Sequence, residues 1–173
     1  MKRLFVIDAL AMAFRTFYGL GQAGLSRADG FPVSALYGSS LFLNKLIREE
    51  KPDYLLAARD LGGPTFRHEK YKNYKVNRDK APSDLSLQLP EFWRLLDAFK
   101  IPYIGQPGYE ADDVIASVAS QFSGEHLHVY IVSGDKDFYQ ILGPRVTMYA
   151  PKKNAPAMLV TPYFVMENFL CAP

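Results

Sequence analysis

Seven acidic residues occur where strands are predicted to end or where a helix is predicted to begin. Three apolar runs, RLFVID, DYLLAARD and LHVYIVSGD, each end in an aspartate. The segment GYEADD then places three carboxylates at the start of an amphipathic helix, where one would be enough to complement the helix dipole. The full set is Asp8, Asp60, Glu110, Asp112, Asp113, Asp135 and Asp137.

Carboxylates brought together in this way need positive charge between them. Like charges in a partly desolvated cleft raise one another's pKa, so these side chains could not all stay ionised alone. Hard divalent cations resolve this, and oxygen ligands without neighbouring Cys or His favour Mg²⁺ or Mn²⁺ over zinc. A single aspartate at a strand end is more often a turn former or a helix cap, so the argument rests on the combination. Asp112 is the weakest candidate, because on a helix it points about 100° away from Asp113 and could act through a ligand or water instead.

The elements that would position these acids alternate between strands and helices. Helices are predicted over 33–49, over 84–99 with Pro90 as a kink or break, over 110–122, and in TPYFVMENF with Thr161 as its cap. IPYIG and VTMYA are predicted as two further strands. This order indicates an α/β fold, a mostly parallel central sheet with helices on both faces. In such sheets the functional crevice lies beyond the carboxyl ends of the strands, where all seven acids are expected.

The composition is that of one compact domain. The chain has 173 residues, of which 49% are hydrophobic and 22% are charged, and this excludes a disordered chain. The single cysteine, Cys171, excludes an internal disulfide, and the start MKRLFVID contains no signal peptide or membrane-spanning run. We therefore expect a monomeric cytoplasmic protein that does not associate with membranes.

A basic segment, residues 67–80, stands out from an otherwise balanced chain. The formal net charge is +2, but RHEKYKNYKVNRDK holds six basic residues against two acidic ones. Such a block is often only a solvated helix face. Tyr71 and Tyr74 alternate with its lysines, a pattern typical of nucleic-acid contacts, and both interpretations stay open on these residues alone.

Five motifs in succession resemble one known family. FVIDALAMAFRTFYGL, DGFPVSALYG, DLGGPTFRHEKYKNYKVNR, IPYIGQPGYEADDVIASVA and VYIVSGDKDFYQIL follow one another as in the bacterial 5′–3′ exonucleases of the flap-endonuclease family. The resemblance covers residues 3–169, and its combination of TFRHE, GYEADD and GDKD is highly specific. It implies a resolvase-like (PIN-like) 5′-nuclease core with a helical arch. The family occurs as the N-terminal domain of DNA polymerase I and as a stand-alone nuclease.

The resemblance implies a role for individual residues. The seven acids match the cluster that binds two divalent ions, and Lys75 and Arg78 match residues that stand on a helix at the mouth of the arch and polarise the scissile phosphate. Arg15 matches an arginine that contacts the substrate strand, and Tyr74 matches a tyrosine that can stack on a base. The DNA-binding candidates are Arg15, Arg67, Lys70, Lys72 and Tyr74.

The implied function is structure-specific hydrolysis of DNA in replication and repair. The expected substrate is a 5′ flap or a duplex with a free 5′ end, cleaved with two Mg²⁺ or Mn²⁺ ions to give a 5′ phosphate. The expected location is the bacterial nucleoid. One alternative is a chain that binds DNA but cuts it poorly. A haloacid-dehalogenase-like phosphatase is disfavoured, because the second acid it needs two residues after Asp8 is replaced by Leu10.

The sequence departs from the family pattern at three places. Ala9, Leu10 and Ala11 replace a Gly-Asn-Ser that relatives carry near the first aspartate, and Arg59, just before Asp60, could either pair with an acid of the cluster or point to solvent. Full-length relatives also continue into a helix-turn-helix region that supplies further acids. Residues 1–173 are therefore expected to be the N-terminal nuclease domain without that downstream region. They are either a fragment of a longer nuclease or polymerase, which we favour, or a naturally short member with an incomplete second metal site. Whether it belongs to a polymerase or to a stand-alone nuclease stays open.

Overall fold

The computed structural model describes residues 1–77, 79–152 and 155–169, and its described strands form one sheet. The strands are β1 (Lys2–Asp8), β2 (Tyr54–Ala58), β3 (Tyr103–Ile104), β4 (Leu127–Val132), β5 (Val146–Lys152) and β6 (Ala155–Val160). Their order across the sheet is β3-β2-β1-β4-β5-β6. All neighbours are parallel except β5 and β6, which are antiparallel. The predicted mostly parallel α/β sheet is confirmed.

Helices cover both faces of this sheet. They are α1 (Ala9–Leu20), α2 (Ser34–Glu50), α3 (Phe66–Lys70), α4 (Ser83–Ala98), α5 (Ala111–Phe122) and α6 (Pro162–Phe169). The core beneath α1, α2 and α4 includes Phe5 and Ile7 of β1, whereas the core beneath α5 and α6 includes Leu4 and Val6. Successive side chains of a strand point to opposite faces, so β1 needs an unbroken apolar run to fill both cores.

The predicted helices agree with the structure to within a residue or two, with one difference in α4. Pro90 was expected to kink or break this helix, and a break is wrong, because α4 continues through it. Leu85 and Phe92, on either side of the proline, are fully buried against the same face of the sheet. Gln88 is also fully buried, and its side-chain oxygen accepts the Ala35 N–H at 2.8 Å at the start of α2. Tertiary packing therefore outweighs the backbone hydrogen bond that a proline removes.

The basic segment differs from the expected helical arch. Helix α3 is only five residues long, and a run of turns follows it through residue 77. Lys75 was expected on a helix but lies in these turns with φ +56°, a left-handed conformation that interrupts a right-handed helix. The segment has few buried side chains, so packing contributes little to helix formation there. Arg78 lies outside the described residues.

One α-helix and one strand were not predicted from the sequence. Helix α1 directly follows β1, in the run ALAMAFRTFYGL, for which the sequence analysis assigned no element. Strand β6 pairs with β5 at the edge of the sheet and leaves Leu159 largely exposed. Among the described residues, the helices are all too short or too polar to cross a membrane.

Candidate active site

Asp8 connects the end of β1 with the start of α1. Its side chain caps α1 by accepting the Ala11 N–H at 3.0 Å, and its second oxygen accepts the Ser133 hydroxyl at 3.3 Å. Only 7% of the residue is exposed. Burial raises the pKa of Asp8 and outweighs the two hydrogen bonds, while Asp60 and Asp135 add to the rise. The backbone of Ala11 supplies the capping bond, so the replacement of the family's Gly-Asn-Ser leaves Asp8 anchored.

Asp60 connects the end of β2 with the start of α5. Its Oδ1 accepts the Ala111 N–H at 2.8 Å, which satisfies one of the free amides at the N-terminus of that helix. The loop around Asp60 packs tightly against the end of β3, because a Cβ atom on Gly105 would lie 2.5 Å from the Arg59 carbonyl oxygen. The contact holds the backbone before Asp60 at a fixed distance from its neighbour strand.

Glu110 caps α5 and binds two side chains of the basic segment. Its carboxylate accepts the Tyr74 hydroxyl at 3.0 Å and the Lys75 ammonium at 2.8 Å. Burial works against the charge of Glu110, but these two bonds prevail and its pKa is lowered. Burial likewise opposes the charge of Lys75, and the bond to Glu110 raises the pKa of Lys75 in spite of it. The pair is therefore ionised at neutral pH.

Asp112 and Asp113 point into different surroundings. Asp112 faces the carboxyl ends of the strands, where burial first and then Asp8, Asp135 and Asp60 raise its pKa to about 6. Asp113 binds Arg67 instead, with Nη1 at 2.6 Å from one carboxylate oxygen and Nη2 at 2.8 Å from the other. The bond to Arg67 is the main reason that the pKa of Asp113 is lowered. Asp112 was the weakest candidate ligand in the sequence analysis, yet of these two aspartates it is Asp112 that lies among the other acids.

Asp135 and Asp137 lie at the start of a 3₁₀ helix, Lys136–Ile141, that follows β4. The Asp135 side chain accepts the Asp137 N–H at 2.9 Å, and the Asp135 N–H donates to the Ser133 hydroxyl at 3.2 Å. Both aspartates are exposed. Ser133 therefore contacts Asp8 and Asp135 together and links the two strand ends, a role that the sequence analysis missed. The feature of the sequence that could have indicated this role is a small polar residue, Ser133, between the buried strand β4 and the Gly-Asp pair that follows it.

One cavity of about 620 Å³ collects these side chains, and we call it the acidic cavity. Six of the seven predicted acids line it, and Asp113 is the exception, since it lines a neighbouring groove. Asp79, which the sequence analysis did not single out, lines it as well, and Lys75, Tyr74 and His68 form part of its wall. The acids on the wall are Asp8, Asp60, Asp79, Glu110, Asp112, Asp135 and Asp137.

The donor chemistry of the acidic cavity fits a hard divalent cation. Its potential ligands are carboxylate oxygens. Burial first, and then the neighbouring carboxylates, raise the pKa of Asp8 and of Asp112, and a bound cation would favour the charged form of both. Among the residues described, no three His, Cys, Asp or Glu side chains stand close enough to one another to hold an ion as they are. The carboxylates thus line the walls of the cavity rather than surround one point.

The predicted DNA-binding residues lie in several places around this cavity. Arg15 is exposed on α1 and donates to the Pro151 carbonyl, beside a second cavity that shares Ala11, Phe14 and Asp135 with the first. Lys70 and Lys72 are exposed in the basic segment. Arg67 and Tyr74, by contrast, bind Asp113 and Glu110. Contacts with DNA remain a prediction for all of these residues.

Arg59 takes neither of the positions that the sequence left open. Its guanidinium lies 4.4 Å from the ring centroid of Trp93 and 5.7 Å from that of Tyr103. Its Nε is buried and finds no hydrogen-bond partner in the part of the chain that the structure describes. Stacking on aromatic rings, rather than an ion pair with the acids, accounts for this arginine.

Comparisons with known proteins agree with this architecture. The family model for the 5′-3′ exonuclease, N-terminal resolvase-like domain, matches residues 3–169. DNA polymerase I of Bacillus caldotenax is 38% identical over 173 residues, which are 99% of this chain and 20% of that protein. The 5′-3′ exonuclease of Aquifex aeolicus is 40% identical over 151 residues, 87% of this chain and 52% of that protein. The chain thus spans about one fifth of the first relative and about half of the second.

Solved structures show the same fold at low identity. T5 5′-exonuclease with bound divalent metal ions (zinc) superposes with a TM-score of 0.66 at 20% identity, covering 96% of this chain and 60% of that one. The catalytic core of Rad2 in complex with a DNA substrate gives a TM-score of 0.61 at 16% identity, covering 99% of this chain and 51% of that one. On the match of the family model over almost its whole length, the chain belongs to the family of 5′-3′ exonuclease N-terminal resolvase-like domains.

Proposed function

We propose that this chain is a metal-dependent nuclease that hydrolyses DNA phosphodiesters at a 5′ flap or a free 5′ end. The observation that carries the proposal is the acidic cavity, in which six predicted carboxylates and the ammonium of Lys75 line the same space. Carboxylates can hold divalent cations, and an ammonium can stabilise the charge of a phosphate in the transition state. Family membership supports the same reaction.

The ions that we propose are Mg²⁺ or Mn²⁺, two in the complete enzyme. The residues that would hold them are Asp8, Asp60, Glu110, Asp112, Asp135 and Asp137. When bound, such ions lower the pKa of the attacking water and stabilise the leaving 3′ oxygen. Asp8 is fixed for this role by its bonds to Ala11 and Ser133, and Asp60 by its bond to Ala111.

The chain's own cations would bind and orient the DNA. The Lys75 ammonium lies on the wall of the acidic cavity, so a phosphate that enters there meets a positive charge. Arg78 is proposed to assist it. Arg15, Lys70 and Lys72, which are exposed, are proposed to contact other phosphates of the substrate strand.

The relatives support DNA as the partner. One neighbouring structure is a T5 D15 flap endonuclease with DNA and metal ions, and another is the Rad2 core with a DNA substrate. The name DNA polymerase I, carried by several relatives, supports a polymerase domain on the same polypeptide. The bacterial cytoplasm and a monomeric state remain predictions.

A second candidate function is DNA binding with weak or no cleavage. The observation that favours it is the spacing of the acids, because no three of the possible ligands in the described residues converge on one point. In that case the basic segment would bind DNA by charge, and the acids would fail to assemble an ion site.

Cleavage of a 5′-labelled flap duplex separates the two functions. The chain is incubated with this duplex and Mn²⁺, and then with EDTA added, while binding is followed by fluorescence anisotropy. A nuclease releases a short 5′ product only with metal, whereas a binding module retains the full-length strand. Asp112→Asn is expected to remove cleavage, and Glu125→Gln, an exposed acid before β4 at the opposite edge of the sheet, is the matched control.

A further inference from the structure

Arg67 holds Asp113 with both arms of its guanidinium. The two bonds are 2.6 and 2.8 Å long, and the same Nη1 lies 3.6 Å from the Glu110 carboxylate. The Arg67 side chain is 31% exposed and that of Asp113 is 21% exposed, so the pair is largely shielded from water. A two-pronged arginine–carboxylate contact fixes orientation as well as distance, which a lysine cannot do.

Asp113 also binds the backbone at the start of α5, and so connects Arg67 with this helix. Its Oδ2, which accepts Arg67 Nη1, also accepts the backbone N–H of Glu110 at 3.0 Å. This bond is one half of a capping box that fixes the first turn of the helix. The same turn directs Glu110 and Asp112 into the acidic cavity, so Arg67 acts on both through Asp113.

Other contacts join the same two parts of the chain. The Phe66 N–H donates to the Gly108 carbonyl at 3.0 Å, and the Phe66 ring lies 5.5 Å from that of Tyr109. Helix α3, where the basic segment begins, is thus docked on the residues that precede α5. Arg67 supplies the charged part of this contact through its bonds to Asp113.

We propose that Arg67 is a positioning residue, which orients Glu110 and Asp112 through Asp113, rather than a contact for DNA. The proposal rests on the proposed nuclease function for its catalytic consequence. The geometry argues against a phosphate contact, because both arms of the guanidinium are already bound to a carboxylate. A phosphate could take the same two-pronged grip only after this partly buried pair separates, which leaves a charge without its partner.

Arg67→Lys is the decisive variant, since it keeps the charge and removes the two-pronged grip. We expect kcat on the flap duplex and Mn²⁺ affinity, measured by calorimetry without DNA, each to fall about 10-fold or more, as is typical for loss of contacts that orient metal ligands. KM should stay within about twofold, because the lost interaction does not bind the substrate. Asp113→Asn should show the same pattern, and the double variant should be little worse than either single one.

The salt dependence of DNA binding gives an independent readout. Arg67→Gln should leave the slope of log affinity against log salt unchanged, whereas Lys72→Gln, an exposed cation of the same segment, should lower it by about 0.9 if it contacts a phosphate. Thermal unfolding checks that each variant is folded. If an Arg67 variant does not fold, the Asp113→Asn variant is used for the test instead.

Two results would overturn the proposal. One is wild-type kcat and Mn²⁺ affinity in Arg67→Lys. The other is a salt slope lowered by about 0.9 in Arg67→Gln together with a raised KM, since these mark a phosphate contact. Failure of the nuclease function is distinguishable, because it abolishes cleavage by the wild type. Mn²⁺ affinity and amide hydrogen exchange at residues 110–113 would still report on the role of Arg67.

Discussion

Asp112 and Asp113 are neighbours in sequence, but only Asp112 lines the acidic cavity, whereas Asp113 is bound by Arg67. Asp112 lies three residues before the fully buried Ile115, and Asp113 lies four residues before the exposed Ser117. Residues three or four apart share a face of a helix, so the rotation of α5 on the sheet separates the two carboxylates. One of them can then serve as a ligand while the other orients its surroundings.

Asp112→Asn should weaken Mn²⁺ binding more than Asp113→Asn. The first change removes an oxygen anion from the cavity wall, and the second removes only a contact that orients the turn. Loss of an orienting contact typically costs about 10- to 100-fold in metal affinity or activity, and loss of a ligand should exceed the value found for Asp113→Asn. Calorimetric titration of both variants makes the comparison, and equal or reversed losses would contradict this division of roles.

The same two variants should change stability with opposite dependence on pH in metal-free buffer. The pKa of Asp112 is raised from 3.8 to about 6 in the folded state, so the folded chain binds a proton more tightly than the unfolded one. Stability therefore falls as pH rises between these two values. Asp112→Asn removes this loss and should raise Tm relative to the wild type, by an amount that grows through this window and is constant above it.

The effect of Asp113 on stability changes with pH in the opposite direction, because Arg67 lowers the pKa of Asp113. Its stabilising effect is present above its unfolded pKa of 3.8 and is lost as pH falls through the lower folded pKa. Asp113→Asn should therefore lower Tm at neutral pH, and the difference from the wild type should shrink in acid. Thermal unfolding followed by circular dichroism in metal-free buffer, from about pH 2.5 upward in steps of about half a unit, measures both curves. Two variants with the same sign at neutral pH would contradict the assigned surroundings.

Lys75→Ala should slow the chemical step without weakening metal binding. Loss of a cation that stabilises transition-state charge typically costs about 10²- to 10³-fold in kcat. Mn²⁺ should bind at least as tightly as in the wild type, because the Lys75 ammonium, 2.8 Å from Glu110, competes for that carboxylate. Single-turnover cleavage and calorimetry test the two parts.

Lys70→Ala is the matched control for Lys75→Ala. It removes an exposed cation of the same basic segment that lies over the Phe66 ring, away from the acidic cavity. It should lower DNA affinity with little change in kcat. Weaker Mn²⁺ binding in Lys75→Ala, or an equal loss of kcat in both variants, would contradict the proposed role of Lys75 in the chemical step.

The strand ends and their acids could be predicted because they depend on short-range patterns. Apolar runs such as FVI in β1 are buried on both sides, and a parallel sheet brings the ends of its strands to one edge. The candidate acids were predicted from their expected positions at that edge, and six of the seven line one cavity. Asp79 could not be found in this way, since it lies among basic residues in a segment without regular structure.

Pairings that depend on distant parts of the chain could not be predicted. Arg67 and Asp113 are 46 residues apart, and their contact depends on how α3 docks on the start of α5. The left-handed conformation of Lys75 is equally unpredictable, because lysine has no preference for it. The different surroundings of Asp112 and Asp113 are an intermediate case. The positions of the buried residues along α5 indicate which of the two carboxylates faces the sheet.

Gly105→Ala should lower both stability and cleavage although Gly105 lies outside the acidic cavity. A Cβ atom there would lie 2.5 Å from the Arg59 carbonyl and 2.9 Å from Leu61 Cγ, so the backbone just before Asp60 and the side chain just after it must shift. Overpacking of this kind typically costs about 1–3 kcal/mol of the free energy of unfolding. The shift would also strain the bond from Asp60 to the Ala111 N–H, which orients a predicted metal ligand.

Gly124→Ala is the control for Gly105→Ala. No atom lies within 4 Å of a Cβ atom at Gly124, and the residue precedes β4 at the edge of the sheet opposite the acids. It should leave cleavage unchanged and alter the free energy of unfolding by less than about 1 kcal/mol, because only the flexibility of the unfolded chain changes. Urea unfolding and flap cleavage are measured for both variants. Equal behaviour of the two alanines would show that the close approach at Gly105 does not position Asp60.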